Sequence, residues 1–270
     1  MLGRGAVSPR IVGIVGILIV CAQGIAACHH PYPVAYGELG YASNQDASGR
    51  ETGFLLDAYR EVARRTGCQF RLEKVPLARA ARRFFAGQSI VVGPAFTLSN
   101  PEQEKEIHFI PLMRTSTELI VLRSHASLIR GTHLGAGLRL GVLNGASYGE
   151  WVDDWLKTIP PAQVHTIQSI ESLFQMMVLH RIHATVGNAY VYKWELDRRG
   201  LNNYVRVMPM PDAGTFHVGI AMNMKTIHPD DRETLRHAFE TLRDDGTFER
   251  IVARYLGDAT AREQVRHWNK

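Results

Sequence analysis

The sequence predicts an α/β protein of two lobes. Three observations carry this expectation. Short β-rich runs alternate with apolar stripes at helical spacing, the pattern of strand–helix–strand units on mostly parallel sheets. Two such units can be read, over about residues 28–114 and 119–212, and a last segment, about 217–270, opens with a strand and ends in helices. No Ser/Gly-rich or Pro-rich linker separates them, so short strands rather than a tether join the lobes. The chain has 270 residues, 45% of them hydrophobic and 21% charged, which suffices for one large or two small cores.

The first 27 residues read as a secretory signal rather than as part of the fold. Arg4 and Arg10 precede an apolar run from Ile11 to Ala22, and small residues follow it, Gly24-Ile25-Ala26-Ala27. The run is too short for an ordinary membrane span. Without it the formal charge falls from +5 to +3. The remaining Lys and Arg are scattered, and Arg79, Arg82 and Arg83 fall on a predicted helix as a solvated face. Aromatic and basic residues do not interleave as in single-strand binders, so nucleic acid is not the expected partner.

From there strands are expected at Val34–Tyr36, Phe70–Val75, Ile90–Val92, Glu118–Arg123 and Leu138–Leu143. Further strands are expected at Val164–Ile167, Ala184–Val186, Tyr204–Met208 and His217–Met222. Helical stripes lie between and after them. Phe54, Leu55, Ala58 and Val62 form one, stopped by Gly67. Ile170, Leu173, Phe174 and Met177 form another, capped by Ser169. Leu235, Ala238, Phe239 and Leu242 precede Gly246, and Phe248, Ile251, Val252 and Tyr255 precede Gly257. Ser at a helix start and Gly just past its end are the caps physics favours. Trp151 and Trp155, four apart, read as helix packing. A short helix is expected after Asn100, whose side chain can cap it, with Pro101 at the first helical position.

Two readings of Cys28 stand. Ile25-Ala26-Ala27-Cys28 resembles a lipobox, which would make Cys28 a lipid anchor. Alternatively Cys28 and Cys68 pair in an oxidising compartment. Each precedes a strand candidate, and if those strands are parallel neighbours both thiols sit at one edge of the sheet. The first strand begins too soon after Cys28 to leave a flexible tether, which favours the disulfide. It would close a loop of about 40 residues and contribute about 3–4 kcal/mol.

Several segments, in order, resemble the bacterial periplasmic solute-binding proteins of the polar-amino-acid type, family 3. Gly53-Phe54-Leu55-Leu56-Asp57 is similar to that family's G-F-D-x-D. Thr97-Leu98-Ser99-Asn100-Pro101-Glu102-Gln103, with Phe109 beyond it, is similar to its S/T-I-T-P-E-R … F-S. Leu140-Gly141-Val142-Leu143-Asn144-Gly145-Ala146-Ser147 resembles V-G-V-x-x-G-T-T, and Gly219-Ile220-Ala221-Met222 its return strand. Asp245-Gly246-Thr247-Phe248-Glu249-Arg250-Ile251 with Tyr255-Leu256-Gly257 resembles D-G-T-Y-x-K-I … Y-F-G. Each motif is soft alone; their order and spacing over nearly the whole chain after residue 27 are specific.

The resemblance implies the type II periplasmic-binding-protein fold, two α/β lobes that close by hinge bending on a small ligand. Residues 28–114 plus 217–270 would form lobe 1 and 119–212 lobe 2. It implies a monomer without cofactor or metal, located in the periplasm, that hands its solute to the membrane subunits of an ABC transporter. The implied ligand-binding positions are Glu38, Tyr41, Ala95, Phe96, Thr97, Leu98, Gln103, Asn144, Ala146, Ser147 and Asn188. Asn144, Ala146 and Ser147 would lie at a helix start, where free N–H groups hold an anion or polar oxygen. Two positions depart from the family. Gln103 stands where an Arg grips the ligand carboxylate, and Asn188 where an Asp pairs with the ligand ammonium. An amide cannot replace a bidentate guanidinium. A neutral or cationic polar solute is therefore expected in preference to a free α-amino acid, unless Arg79 or Arg114 fills in.

Rival chemistries are expected to be minor. Gly145-Ala146-Ser147-Tyr148-Gly149 spells G-x-S-x-G, a nucleophile-elbow pattern that Asp197 or Asp212 and His217 or His237 would complete, but no oxyanion segment precedes it. Periplasmic cyclohexadienyl dehydratases resemble solute-binding proteins, and in that reading Glu38 would act as acid or base. A sensory ligand-binding module is the third alternative. His180 and His183, three apart on a predicted helix, invite a metal reading without an evident third ligand, and His29 and His30 beside Cys28 invite another, which a disulfide would deprive of its thiol.

Overall fold

The computed structural model describes residues 28–94 and 105–265. The chain opens with β1 (Tyr32–Tyr36), a small ladder of β2 (Asn44–Gln45) and β3 (Glu51–Thr52), and α1 (Phe54–Thr66). β4 (Phe70–Lys74), α2 (Leu77–Phe85), β5 (Ile90–Pro94) and β6 (Ile107–Ser116) follow. Beyond Thr117 come β7 (Glu118–Leu122), a ladder of β8 (Ile129–Arg130) and β9 (His133–Leu134), β10 (Leu140–Leu143) and α3 (Glu150–Thr158). Next are β11 (Val164–Ile167), α4 (Ile170–Val178), β12 (Ala184–Gly187), α5 (Ala189–Arg199) and β13 (Val205–Pro209). β14 (Thr215–Asn223), α6 (Pro229–Asp244), α7 (Thr247–Leu256) and α8 (Asp258–Val265) complete the described chain.

Two five-stranded sheets result, ordered β4-β1-β5-β14-β6 and β11-β10-β12-β7-β13. In the first, β1 runs parallel to β4 and β5, while β14 is antiparallel to β5 and β6. In the second, β10 is parallel to β11 and β12, and β7 is antiparallel to β12 and β13. The architecture is the two-lobe α/β fold that the sequence predicts. The chain passes between the sheets twice, at Thr117 and between β13 and β14.

Local sequence explains the elements. α1 buries Phe54, Leu55, Leu56, Ala58, Tyr59 and Val62 and stops at Gly67, whose φ of 74° suits a residue without a Cβ and whose N–H bonds to the Ala63 carbonyl. Burying each of the larger of these, such as Phe54, Leu55, Leu56 and Val62, contributes about 1.5–3 kcal/mol. Ser169 caps α4 by accepting the Ser172 N–H. Trp151 and Trp155 stack on α3, and Trp155 Nε1 donates to the Thr132 carbonyl. One apolar cluster runs from Leu39, Phe54 and Phe248 in the first lobe into Phe174, Tyr190 and Tyr192 in the second. Another, around Leu119, Leu140, Val152 and Trp155, belongs to the second lobe alone.

β1 and β4 are parallel neighbours, Tyr32 opposite Phe70, and Cys28 is bonded to Cys68 with 4.7 Å between the Cα atoms. A sulfur in a disulfide carries no lipid, so the lipid-anchor reading of Cys28 is set aside. The same bond removes the thiol from a Cys28–His29–His30 metal set, and the His30 ring lies edge-on to Tyr32.

Three elements differ from expectation. The sequence pattern does not mark β6 as a strand. It is an edge strand, so Pro111, which lacks an N–H, is tolerated there, and a register shift falls between its partners Val218 and Gly219. A Cβ on Gly219 would lie 2.0 Å from the Ile110 carbonyl oxygen, so only glycine permits this approach. His180 and His183 are not helical. α4 ends at Val178, and His180 takes φ 53° in the turn beyond it. Finally, six residues separate β10 from α3, so Ser147 does not sit on a sharp strand-to-helix elbow.

Candidate functional site

A cavity of about 470 Å³ opens between the lobes. Glu38, Gln45 and Lys74 reach it from the first lobe, and Asn144, Gln168 and Ser169 from the second. The topology explains the convergence. Glu38 follows β1, Lys74 ends β4, Asn144 follows β10, and Gln168 and Ser169 follow β11. All are at carboxyl ends of parallel strands, where open α/β sheets hold ligands. Pro76 and Leu77 bring the first turn of α2 to the same cavity, and Pro76 has no side chain able to cap it. The partial positive charge of that helix end therefore faces the cavity.

Four of these polar groups are already partnered in pairs. Lys74 Nζ lies 2.5 Å from Glu38 Oε1, both side chains about one third exposed. Asn144 Nδ2 donates to Gln168 Oε1 at 3.1 Å. The chemistry is one acid, one base, three amides and a hydroxyl. Such a set binds by hydrogen bonds and charge, and it contains no nucleophile with an adjacent base.

The lobes are shut on each other. The Tyr41 N–H donates to the Tyr190 carbonyl on α5 at 3.2 Å, and the Tyr41 hydroxyl donates to Asp197 at 2.9 Å. The Tyr41 ring meets Trp194 edge-on, centroids 5.3 Å apart. Burial, with the Asp197 acceptor, pushes the Tyr41 hydroxyl up to about 12. Burial opposes ionisation of Asp197, but hydrogen bonds from Asn202, Lys193 and Tyr41 outweigh it and hold the carboxyl below its usual range. Gly40, at φ 56°, lies under α5 so closely that a Cβ would stand 1.9 Å from the Val191 carbonyl oxygen. Gly145 similarly abuts Ala78 at the start of α2.

Measured against this cavity, the residues picked from sequence divide into three groups. Glu38 and Asn144 line it. Tyr41, Ala146, Ser147 and Asn188 do not. Tyr41 clamps α5 as described, and Ala146 packs between the two apolar clusters. Ser147 Oγ donates to Asp153 at 2.6 Å and accepts the Gly149 N–H. That hydroxyl is held by an acid at the start of α3 rather than by an imidazole. Asn188 Nδ2 donates to the Ser116 carbonyl at 2.8 Å, at the first crossing between lobes. α3 begins at Glu150, so residues 144–147 precede its free N–H groups instead of supplying them. The third group, Ala95, Phe96, Thr97, Leu98 and Gln103, with the helix expected after Asn100, lies outside the described residues.

Sequence reasoning missed Lys74, Gln45, Gln168 and Ser169. The rule that selected Glu38, polar residues at a strand's carboxyl end, also reaches Lys74 near the end of the predicted strand Phe70–Val75 and Gln168 just after Val164–Ile167. Gln45 carries no such signal. Arg79 and Arg114 have no ion-pair partner among the described residues, and neither lines the cavity. In the second lobe His125 stacks on His183 at 4.0 Å. His183 faces the Arg139 N–H and guanidinium. Burial, then His125 and Arg139, lower its pKa to about 4, an environment for a neutral imidazole rather than for a cation.

Comparison with known proteins agrees with this architecture. Residues 38–258 match the model of the bacterial extracellular solute-binding proteins, family 3. The histidine-binding periplasmic protein of Salmonella typhimurium is 20% identical over 216 residues, 79% of this chain and 82% of the relative. Among solved structures, an ABC uptake transporter substrate-binding protein from Streptococcus pneumoniae with bound histidine superposes with a TM-score of 0.69 at 15% identity, covering 84% of this chain and 92% of that one. An ancestral amino acid-binding protein, a precursor of cyclohexadienyl dehydratase, gives 0.63 at 19% identity over 83% and 95%. With its two lobes, its interlobe cavity and a family match over most of its length, the chain belongs to the bacterial extracellular solute-binding proteins, family 3.

Proposed function

We propose that this protein is a periplasmic receptor that closes on a small polar solute and presents it to the membrane subunits of an ABC-type transporter. The observation that carries the reading is the cavity lined from both lobes by polar side chains at strand ends. Residues 28–114 with 217–270 would move as one body and 119–212 as the other, pivoting at the two crossings. Asn188, bonded to Ser116, would hold the pivot rather than the ligand. The first 27 residues would direct export, and the receptor would act as a monomer without catalysis.

The ligand would not be a standard α-amino acid. The two positions that hold the charges of an amino acid in this family are amides here, and Asn188 is committed to a backbone carbonyl. One observation favours a second reading. Lys74 supplies a cation and Glu38 an anion within one cavity, so a zwitterion that parts this pair would find both charges. A thermal-shift screen of amino acids, polyamines, sugars and organic acids tests the proposal, since a ligand present at 100 times its Kd stabilises by about 2.7 kcal/mol. Stabilisation by amino acids alone would overturn the ligand assignment. Stabilisation by no solute, together with turnover of a carboxylate substrate that depends on Glu38, would overturn the receptor reading in favour of a dehydratase-like enzyme.

A further inference from the structure

At the amino end of β1, opposite the end from which Glu38 reaches the cleft, two histidines and two aspartates meet. His29 precedes β1, while His228, Asp230 and Asp231 form the start of α6. The His29 and His228 rings stack with centroids 3.7 Å apart. His29 Nε2 lies 3.6 Å from Asp230 Oδ2, and His228 Nδ1 lies 3.8 Å from the same oxygen. One ligand atom from each of the three falls within 4.8 Å of the others.

The fourth residue gives the cluster its chemistry. His29 Nδ1 is 2.9 Å from Asp231 Oδ1. Asp231 is 6% exposed and also accepts the His29 N–H and the Tyr32 hydroxyl. With that carboxylate holding the Nδ1 hydrogen, the His29 lone pair is on Nε2 and directed outward. A buried carboxylate that fixes one imidazole nitrogen so that the other can ligate is the arrangement found around metal-bound histidines. We infer that His29, His228 and Asp230 form a binding site for a borderline divalent cation of the zinc class, with Asp231 as the positioning residue.

Two imidazoles and one carboxylate suit zinc better than calcium or magnesium, and water completes four-coordination. Stacked rings aim their lone pairs side by side, so the cation parts the stack and turns His228. Little opposes this. His228 Nδ1 accepts the Asp230 N–H at 3.4 Å, beyond the usual range, and the His228 and Asp230 side chains are 39% and 74% exposed. The bound ion would join the segment before β1 to α6 beside the Cys28–Cys68 bond, two staples on one edge of the first lobe.

The test is a zinc competition titration of untagged protein against a chromophoric chelator. The wild type is expected to withdraw one Zn²⁺ per chain. H228A and D230A each weaken that step at least about 10-fold, the scale set by loss of groups around a metal. H237A, an exposed histidine on the same helix, leaves it unchanged. Cobalt(II) in place of zinc should give visible absorption of a four-coordinate centre that D230A abolishes. Should H228A fail to fold, D230A carries the test, because its side chain is largely solvent-exposed. A wild type that leaves the chelator loaded overturns the inference. So does a D230A protein that competes as well as the wild type, because the ion would then reside elsewhere.

Discussion

Breaking the Cys28–Cys68 bond tests how the first lobe is held. The perturbation is C28S with C68A, alanine being the better occupant of position 68, which is 2% exposed. The bond joins residues 40 apart. In the chain-entropy model a loop of that length restricts the unfolded chain by about 4 kcal/mol at 25 °C. In a protein of this size each kcal/mol moves the melting temperature by about 2–4 °C, so the loss should be about 8–16 °C. Thermal unfolding followed by circular dichroism reads it directly, and the wild type in excess dithiothreitol should fall to the variant's value. Thiol titration of the denatured chain lacking residues 1–27 must give none before reduction and two after. The reasoning is refuted if the reduced wild type shows two thiols and yet melts within about 2 °C of the oxidised form, because the loop would then contribute nothing.

Three further perturbations probe closure, the cavity and burial. Gly40→Ala places a Cβ against the Val191 carbonyl and requires a positive φ, so the lobes cannot shut fully. Solute affinity by calorimetry should fall at least about 10-fold, and ligand-induced contraction in solution scattering should shrink; unchanged values for both would mean that Gly40 and α5 do not meet in the closed state. Lys74→Met frees Glu38 within the cavity. Cationic solutes should gain affinity and carboxylate solutes lose it, each by about 10-fold, and an equal effect on both classes would place the pair outside the ligand site. His183, buried, has its folded-state pKa lowered to about 4. Between about pH 6.5 and 4 the unfolded chain therefore binds a proton that the folded chain does not, so this contribution is complete above 6.5 and lost as pH falls through that window. The melting temperature of H183Q should decline less than that of the wild type from pH 7 to 5; parallel declines would show that His183 titrates normally.

Much of the fold was legible because strand and helix periods are written plainly. β10, β11 and β12 are short apolar or β-branched runs, Leu140–Leu143, Val164–Ile167 and Ala184–Gly187, and α1 displays its buried stripe and its Gly67 terminator. β6 was not legible, because Pro111, His108 and Arg114 break the expected alternation and only an edge position reconciles them with a strand. The candidate site was half legible. Glu38 and Asn144 could be placed because a strand end fixes where a side chain emerges. Tyr41 and Asn188 occupy expected places in the chain, yet Asp197 and the Ser116 carbonyl take their polar atoms, and neither pairing has a local signature. The cluster at His29 shows the same limit. Its adjacent sequence pointed to Cys28 and His30, whereas its partners come from about 200 residues away, brought near by the sheet.

The position of β14 has a consequence for how the molecule is made. This strand lies between β5 and β6, yet it comes after the whole second sheet. A chain emerging amino-terminus first can therefore complete its second lobe while the first still lacks a central strand. Until then β5 and β6 hold open edges facing each other, a natural place for a chaperone or for a mistaken partner strand. The strands of the second sheet, β7 to β13, are contiguous in the chain, whereas a chain truncated before residue 215 leaves the first sheet unfinished. The slow, long-range step in folding should be the docking of β14, the last piece to arrive and one that closes a sheet already half built.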